Sequence, residues 1–187
     1  IEGIGALVLA TRFIPEFGLS KGIWYSVFHS ISAFCNAGFD LMGIYEPYCS
    51  LTYHADDVVV NITVMALITI GGIGFFVWDD ICKNGINFKK YALHTKIVLT
   101  VSAILTFGSA LLFLIFERNH TNAGLGFGQS VLNSFFDSIT ARTAGFNTTD
   151  TAALSSAGKM LTVFLMFIGG SPGSTAGGMK TTTLAVI

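Results

Sequence analysis

Trp24–Asp40 reads WYSVFHSISAFCNAGFD, and Val131–Asn147 reads VLNSFFDSITARTAGFN. Each carries a Ser-Ile-Ser/Thr-Ala run, then Ala-Gly-Phe, then Asp or Asn. The Ala-Gly-Phe copies lie 107 residues apart and the Ser-Ile copies 108, so one residue is gained or lost between the helical part and the glycine. A repeated unit dictates architecture and is settled before any fold is assigned. The helical parts, Ile23–Phe34 and Ser130–Ala141, have about 12 residues, and at ~1.5 Å per residue neither crosses a bilayer. Each is expected to be re-entrant, entering and leaving on one side. Non-helical backbone at membrane depth persists only where it is buried in protein or lines water. A short helix ending in a glycine turn therefore implies a polar pathway. The helix C-terminus carries about −0.5 charge and favours a cation. Gly38 and Gly145 can take φ > 0, so that neighbouring carbonyls turn to one side and replace the water shell of a cation. Plain helix C-caps on interfacial helices would use glycine too; two copies in the same context favour the pore reading.

Working outward, Val58–Trp78 and Ile97–Phe116 are free of charge and bounded by Asp56, Asp57, Asp79 and Asp80, and by Lys96 and Glu117. Each matches the ~20 residues of a membrane-spanning helix. Thr151–Gly170 is a third candidate, with Lys159 its one charge, and Ile1–Ala10 reads as the tail of another span. The expected organisation is a first unit over 1–78, a linker over 79–96 and a second unit over 97–187. Both ends of the chain lie in apolar sequence, so it reads as an internal piece of a longer membrane protein. The composition agrees: 52% hydrophobic, 11% charged, net charge −1 and mean hydropathy +0.67. Soluble domains carry roughly 25% charged residues. Nucleic-acid binding is excluded for want of a cationic surplus. Lys83, Lys89, Lys90 and Lys96 place 79–96 in the cytoplasm by the positive-inside rule, and 117–129 outside. Cys35, Cys49 and Cys82, odd in number and unlike in setting, are expected to be free thiols.

The third candidate span does not stay helical. Gly169-Gly170-Ser171-Pro172-Gly173-Ser174-Thr175-Ala176-Gly177-Gly178 interrupts it before Met179 and Lys180. Proline lacks an N–H, and each interior glycine costs ~1 kcal/mol against alanine. The loop is expected below the two filter glycines, with hydroxyls suited to a wet cavity, as a constriction or gate. The preceding span has Gly71-Gly72-Ile73-Gly74 at similar depth without proline or insertion, and is expected to stay whole. Gly173 and Gly178 mimic phosphate-loop spacing, but Met179 stands where the motif needs lysine.

SAFCNAGFD, TARTAGFNTTD and GGSPGSTAGGMKTTT together resemble the Trk/Ktr/HKT superfamily of cation transporters, most closely its KtrB type. That resemblance implies an all-α integral membrane fold of tandem M1–pore helix–M2 repeats around a central ion pathway. This chain would hold most of the second and third of four repeats, about half of such a protein. It implies a selectivity filter at Asn36, Ala37, Gly38 and Phe39 and at Thr143, Ala144, Gly145 and Phe146. It further implies a gate at Gly169–Lys180, and a pore for potassium held by filter carbonyls, with sodium as a possible activator and no covalent cofactor. The implied partners are a second copy in a homodimer, a cytoplasmic RCK-type ring binding ATP and ADP, and the lipid bilayer. The implied setting is a bacterial cell membrane crossed several times. A secondary transporter with broken helices around a midplane solute or sodium site is the alternative. It predicts inverted repeats, whereas these copies run in one direction.

Arg142 beside the second filter segment is a costly charge and is expected to pair with Asp137 or Asp150, the other option being repulsion that tunes cation entry. Asp40 either concentrates cations at the mouth or is a turn acid. His29 is expected to be a packed, hydrogen-bonded histidine. Lys180 is expected to snorkel toward the inner surface rather than face the cavity. No Ser-His-Asp, paired-carboxylate or Cys-His set stands out, so no enzyme is expected.

Overall fold

A computed structural model describes residues 1–85 and 87–186. Among them the regular structure is helical: α1 Glu2–Phe17, α2 Leu19–Phe34, α3 Val58–Ile73, α4 Phe75–Asn84, α5 Leu93–Phe116, α6 Phe127–Thr140, α7 Ser156–Phe167 and α8 Thr181–Val186. One isolated parallel bridge joins Ile168 and Met179. The N-terminal helix runs seven residues past the expected Ala10, and Gly18, at φ 80°, turns it directly into α2. The two short helices of the repeat each begin about one turn earlier than the sequence indicates, at Leu19 and Phe127.

Among the described residues, α5 is the single helix both long and apolar enough to cross a membrane unaided. The expected whole span Val58–Trp78 is corrected: it divides at Gly74 into α3 and α4, bent by 93°. Gly74 takes φ 96°, a conformation residues with a Cβ resist. A Cβ there would also lie 2.6 Å from the Pro172 carbonyl oxygen. The bend thus packs against a loop about a hundred residues downstream, a contact that local sequence does not reveal. The expected 79–96 linker is mostly helical, since α4 runs to Asn84 and α5 begins at Leu93. The span expected over Thr151–Gly170 is α-helical only over Ser156–Phe167, after a 3-10 turn at Thr151–Ala153. At ~1.5 Å per residue, α7 reaches roughly halfway through the hydrocarbon.

Polar contacts between elements are made in the interior. Glu117, fully buried at the end of α5, accepts from the Ser155 hydroxyl (2.6 Å), the Ser155 N–H (3.1 Å) and the Thr121 hydroxyl (3.1 Å). Ser155 caps α7, so this carboxylate sits at a helix N-terminus, where negative charge is favoured. The short helices α2 and α6 bury polar faces: Ser26, His29, Ser30 and Ser32 on one, Asn133, Ser134, Asp137, Ser138 and Thr140 on the other. Leu19, Ile23, Trp24, Val27 and Ile31 of α2 are exposed instead. That inverted pattern suits helices whose surroundings are apolar and whose polar groups must find partners inside. The core gathers Leu9 and Phe13 of α1, Ala33 of α2, Val64 and Leu67 of α3, Phe136 of α6, and Ala144 and Phe146. The second glycine segment is thus packed on the first unit.

Candidate functional site

The two Ala-Gly-Phe segments adopt matching backbones. Asn36 (φ 52°) and Gly38 (φ 71°) are left-handed in the first copy, and Thr143 (φ 77°) and Gly145 (φ 92°) in the second. Two left-handed residues separated by one ordinary residue are rare outside glycine, and their recurrence at equivalent positions is what reversing successive peptide groups requires. Each segment is held by a hydroxyl from the last turn of its helix. Ser32 donates to the Phe39 carbonyl at 2.7 Å and Thr140 to the Phe146 carbonyl at 2.6 Å. The segments touch each other: a Cβ on Gly38 would lie 2.2 Å from the Ala144 carbonyl oxygen. Ala37, Thr143, Ala144, Gly145 and Asn147 line one cavity of about 520 Å³, with Asp137 in its wall. The copies differ at phenylalanine, Phe39 being 71% exposed and Phe146 fully buried. Ser32 and Thr140 were not singled out from sequence, although the Ser-Ile-Ser/Thr run recurring before each glycine carries the signal.

The loop from Gly169 to Lys180 is ordered by backbone bonds rather than by a helix. Gly169 N–H donates to Met179 (3.0 Å) and Met179 N–H to Phe167 (3.0 Å). Its other contacts complete the break in the preceding span. Ser171 N–H reaches the Gly72 carbonyl at 3.0 Å, Thr175 N–H the Gly71 carbonyl at 3.4 Å, and Phe75 N–H the Gly173 carbonyl at 3.0 Å. Ending α3 at Ile73 frees carbonyls that a low-dielectric interior must satisfy, and the loop satisfies them. Thr175 also reaches upward, its hydroxyl donating to the Phe34 carbonyl at 2.9 Å. The Asn36 amide donates to the Thr175 oxygen at 3.0 Å. Ser171 and Thr181 hydroxyls pair at 3.0 Å, and Ala176 is buried while Gly177 and Gly178 are exposed.

Several expected roles change. Arg142 pairs with neither Asp137 nor Asp150. Its guanidinium donates to the Ser102 carbonyl (3.3 Å) and the Thr106 hydroxyl (3.1 Å) of α5, while Asp137 accepts from Thr149 at 2.9 Å. Asp40 accepts from the Met42 N–H at 2.9 Å, the turn-acid role. The Lys180 ammonium donates to the Ala176 carbonyl at 2.7 Å and braces the loop. His29 is packed as expected, its Nδ1 bonded to the Tyr25 carbonyl (2.7 Å) and its Nε2 accepting from the Leu41 N–H (3.3 Å). All three cysteines are free. Among the described residues no group of three or more His, Cys, Asp or Glu could hold a metal ion.

Helical repeats of one direction, short helices with buried polar faces and a span broken by an ordered loop define an all-α integral membrane protein. The chain belongs to the TrkH family of cation transport proteins, which matches residues 4–187. It is 50% identical over 188 residues to the potassium/sodium uptake protein NtpJ of Enterococcus hirae, covering 100% of this chain and 40% of that protein. It is 40% identical over 189 residues to the Ktr system potassium uptake protein B of Bacillus subtilis, covering 100% of this chain and 41% of that protein. The chain therefore spans about two-fifths of the length of the curated relatives it matches. Its fold is similar to the crystal structure of the potassium transporter TrkH from Vibrio parahaemolyticus, with TM-score 0.72 and 21% identity over 98% of this chain and 45% of that one. The family is one of transporters, not enzymes.

Proposed function

We propose that these residues form two of the pore segments of a potassium uptake protein, with Asn36–Phe39 and Thr143–Phe146 as carbonyl filters. The observation that carries this reading is the recurrence of left-handed residues at Asn36 and Gly38 and at Thr143 and Gly145. In each copy a helix-borne hydroxyl fastens the last carbonyl. A carbonyl filter replaces a cation's hydration shell, and each short helix directs its negative end at the segment. The relatives' names, a potassium/sodium uptake protein and a potassium uptake protein, support potassium as cargo and leave sodium as a second ion. The loop at Gly169–Lys180 is read as the gate because it lies against both the broken span and the first filter segment. Activation by sodium, a homodimer, an RCK-type ring responding to ATP and ADP, and placement in a bacterial cell membrane rest on the family resemblance alone.

The test is reconstituted rubidium and sodium uptake by the full-length protein. Gly38→Ser and Gly145→Ser force a Cβ into left-handed positions, and Gly38→Ser also meets the Ala144 carbonyl. Each is expected to lower potassium-over-sodium preference by roughly tenfold or more, since such strain costs ~1–3 kcal/mol. Unchanged preference in both variants removes the filter assignment.

A further inference from the structure

Thr175 belongs to the loop, yet its side chain is bound to the first filter segment. Its hydroxyl hydrogen goes to the Phe34 carbonyl at 2.9 Å, and its oxygen accepts from Asn36 Nδ2 at 3.0 Å. One hydroxyl has one hydrogen to give, so these two bonds commit it as donor and acceptor together. Asn36 is the residue that most needs holding. It is left-handed, buried, and the first residue of the filter segment, and a non-glycine residue in that region persists only where its surroundings over-determine it. Its other contacts, to the Ile68 and Phe34 carbonyls, are long at 3.4 Å. The backbone is shaped to admit the contact: a Cβ on Gly71 would lie 1.9 Å from the Phe34 oxygen and 3.1 Å from Thr175 Oγ1. At Thr143, the equivalent left-handed residue, the side chain is half-buried and its hydroxyl oxygen has no partner among the described residues.

We propose that Thr175 is a positioning residue for ion selection: with the loop in place it holds Asn36, and the ion preference of the repeat-two filter therefore depends on the position of the loop. This rests on the filter-and-gate reading above and adds to it a direct coupling between the loop and the repeat-two filter. Coupling between two sites is reciprocal, so an ion seated at the filter stabilises the loop through the same bond.

The experiment follows thermal unfolding of the purified full-length protein in choline chloride titrated with KCl or with NaCl, giving an apparent affinity for each ion without requiring flux. Thr175→Val removes the hydroxyl at nearly constant volume, Thr175→Ser keeps it, and Gly38→Ser and Gly145→Ser report on the filter itself. Thr175→Val is expected to weaken apparent potassium affinity by about fivefold, the usual scale of one lost hydrogen bond, and to narrow the preference over sodium. Thr175→Ser is expected to stay near the parent. If Thr175→Val yields no folded protein, Thr175→Cys, of similar size and a far weaker hydrogen-bonding group, takes its place with the same expectation. Potassium and sodium affinities unchanged by Thr175→Val while Gly38→Ser loses its preference would overturn the coupling and leave the filter standing. Thr175→Ser behaving like Thr175→Val would also overturn it, because the hydroxyl would not be the agent. Preference unchanged in both glycine variants would remove the filter reading on which the coupling depends.

Discussion

Two hydroxyls, on Ser32 and Thr140, hold the last carbonyl of each proposed filter segment at 2.7 and 2.6 Å. A hydrogen bond of this kind contributes about 1 kcal/mol, comparable to the energy that separates one monovalent cation from another at a modestly selective site. Ser32→Ala and Thr140→Val are each expected to lower rubidium-over-sodium uptake by about fivefold, with Thr140→Ser close to the parent. Equal ratios in all three variants would reduce these hydroxyls to helix caps. Both residues were legible in principle, because Ser/Thr recurs at the same register before each glycine. Arg142 was not legible in that way. Arg142 lies two residues past the end of α6, so helical spacing from Asp137 does not place it. The guanidinium instead reaches α5, where Ser102 and Thr106 supply neutral acceptors.

At the scale of elements, the informative one is the pair α3 and α4. Hydropathy reads Val58–Trp78 as unbroken because nothing in it repels apolar surroundings. Gly74 nonetheless turns the chain by 93°, and the loop at Gly169–Lys180 caps the exposed carbonyls of Gly71 and Gly72. Gly74→Ala would force a Cβ against the Pro172 oxygen in a left-handed backbone. A cost of about 1–3 kcal/mol is expected, read as a lower thermal midpoint of the detergent-solubilised full-length protein. Gly3→Ala is the control: it meets nothing within 4 Å, and its midpoint should be unchanged or slightly higher, since alanine is the better helix former. Equal midpoints for Gly74→Ala and its parent would mean that the bend is not held by this contact. The break in the following span was legible, because proline among clustered glycines acts locally; the break at Gly74 was not, because Gly71, Gly72 and Gly74 come without a proline and the contacts that complete the bend come from a distant loop.

At the scale of the whole molecule, the loop joins three parts: the end of the first pore helix through Phe34, the broken span through Gly71 and Gly72, and its own span through Met179. Removing Ser171–Ala176 cuts the first two connections. In the full-length protein the deletion is expected to raise flux in the absence of any regulatory partner. Flux still wholly dependent on a partner would argue against a gating role. The sequence by itself determined the repeat, its two short helices, the left-handed glycines and the interrupted third span. Each of these follows from local physics: segment length against bilayer thickness, the freedom of glycine at φ > 0, and the missing N–H of proline. Only the tertiary structure decided the bend at Gly74, the neutral partners of Arg142, the brace from Lys180 to Ala176 and the tie from Thr175 to Asn36. Most of these join residues far apart in sequence, and even the brace one turn away depends on how the loop is folded. A buried hydrogen-bonding group takes the partner that packing brings to it, and sequence spacing does not encode that choice.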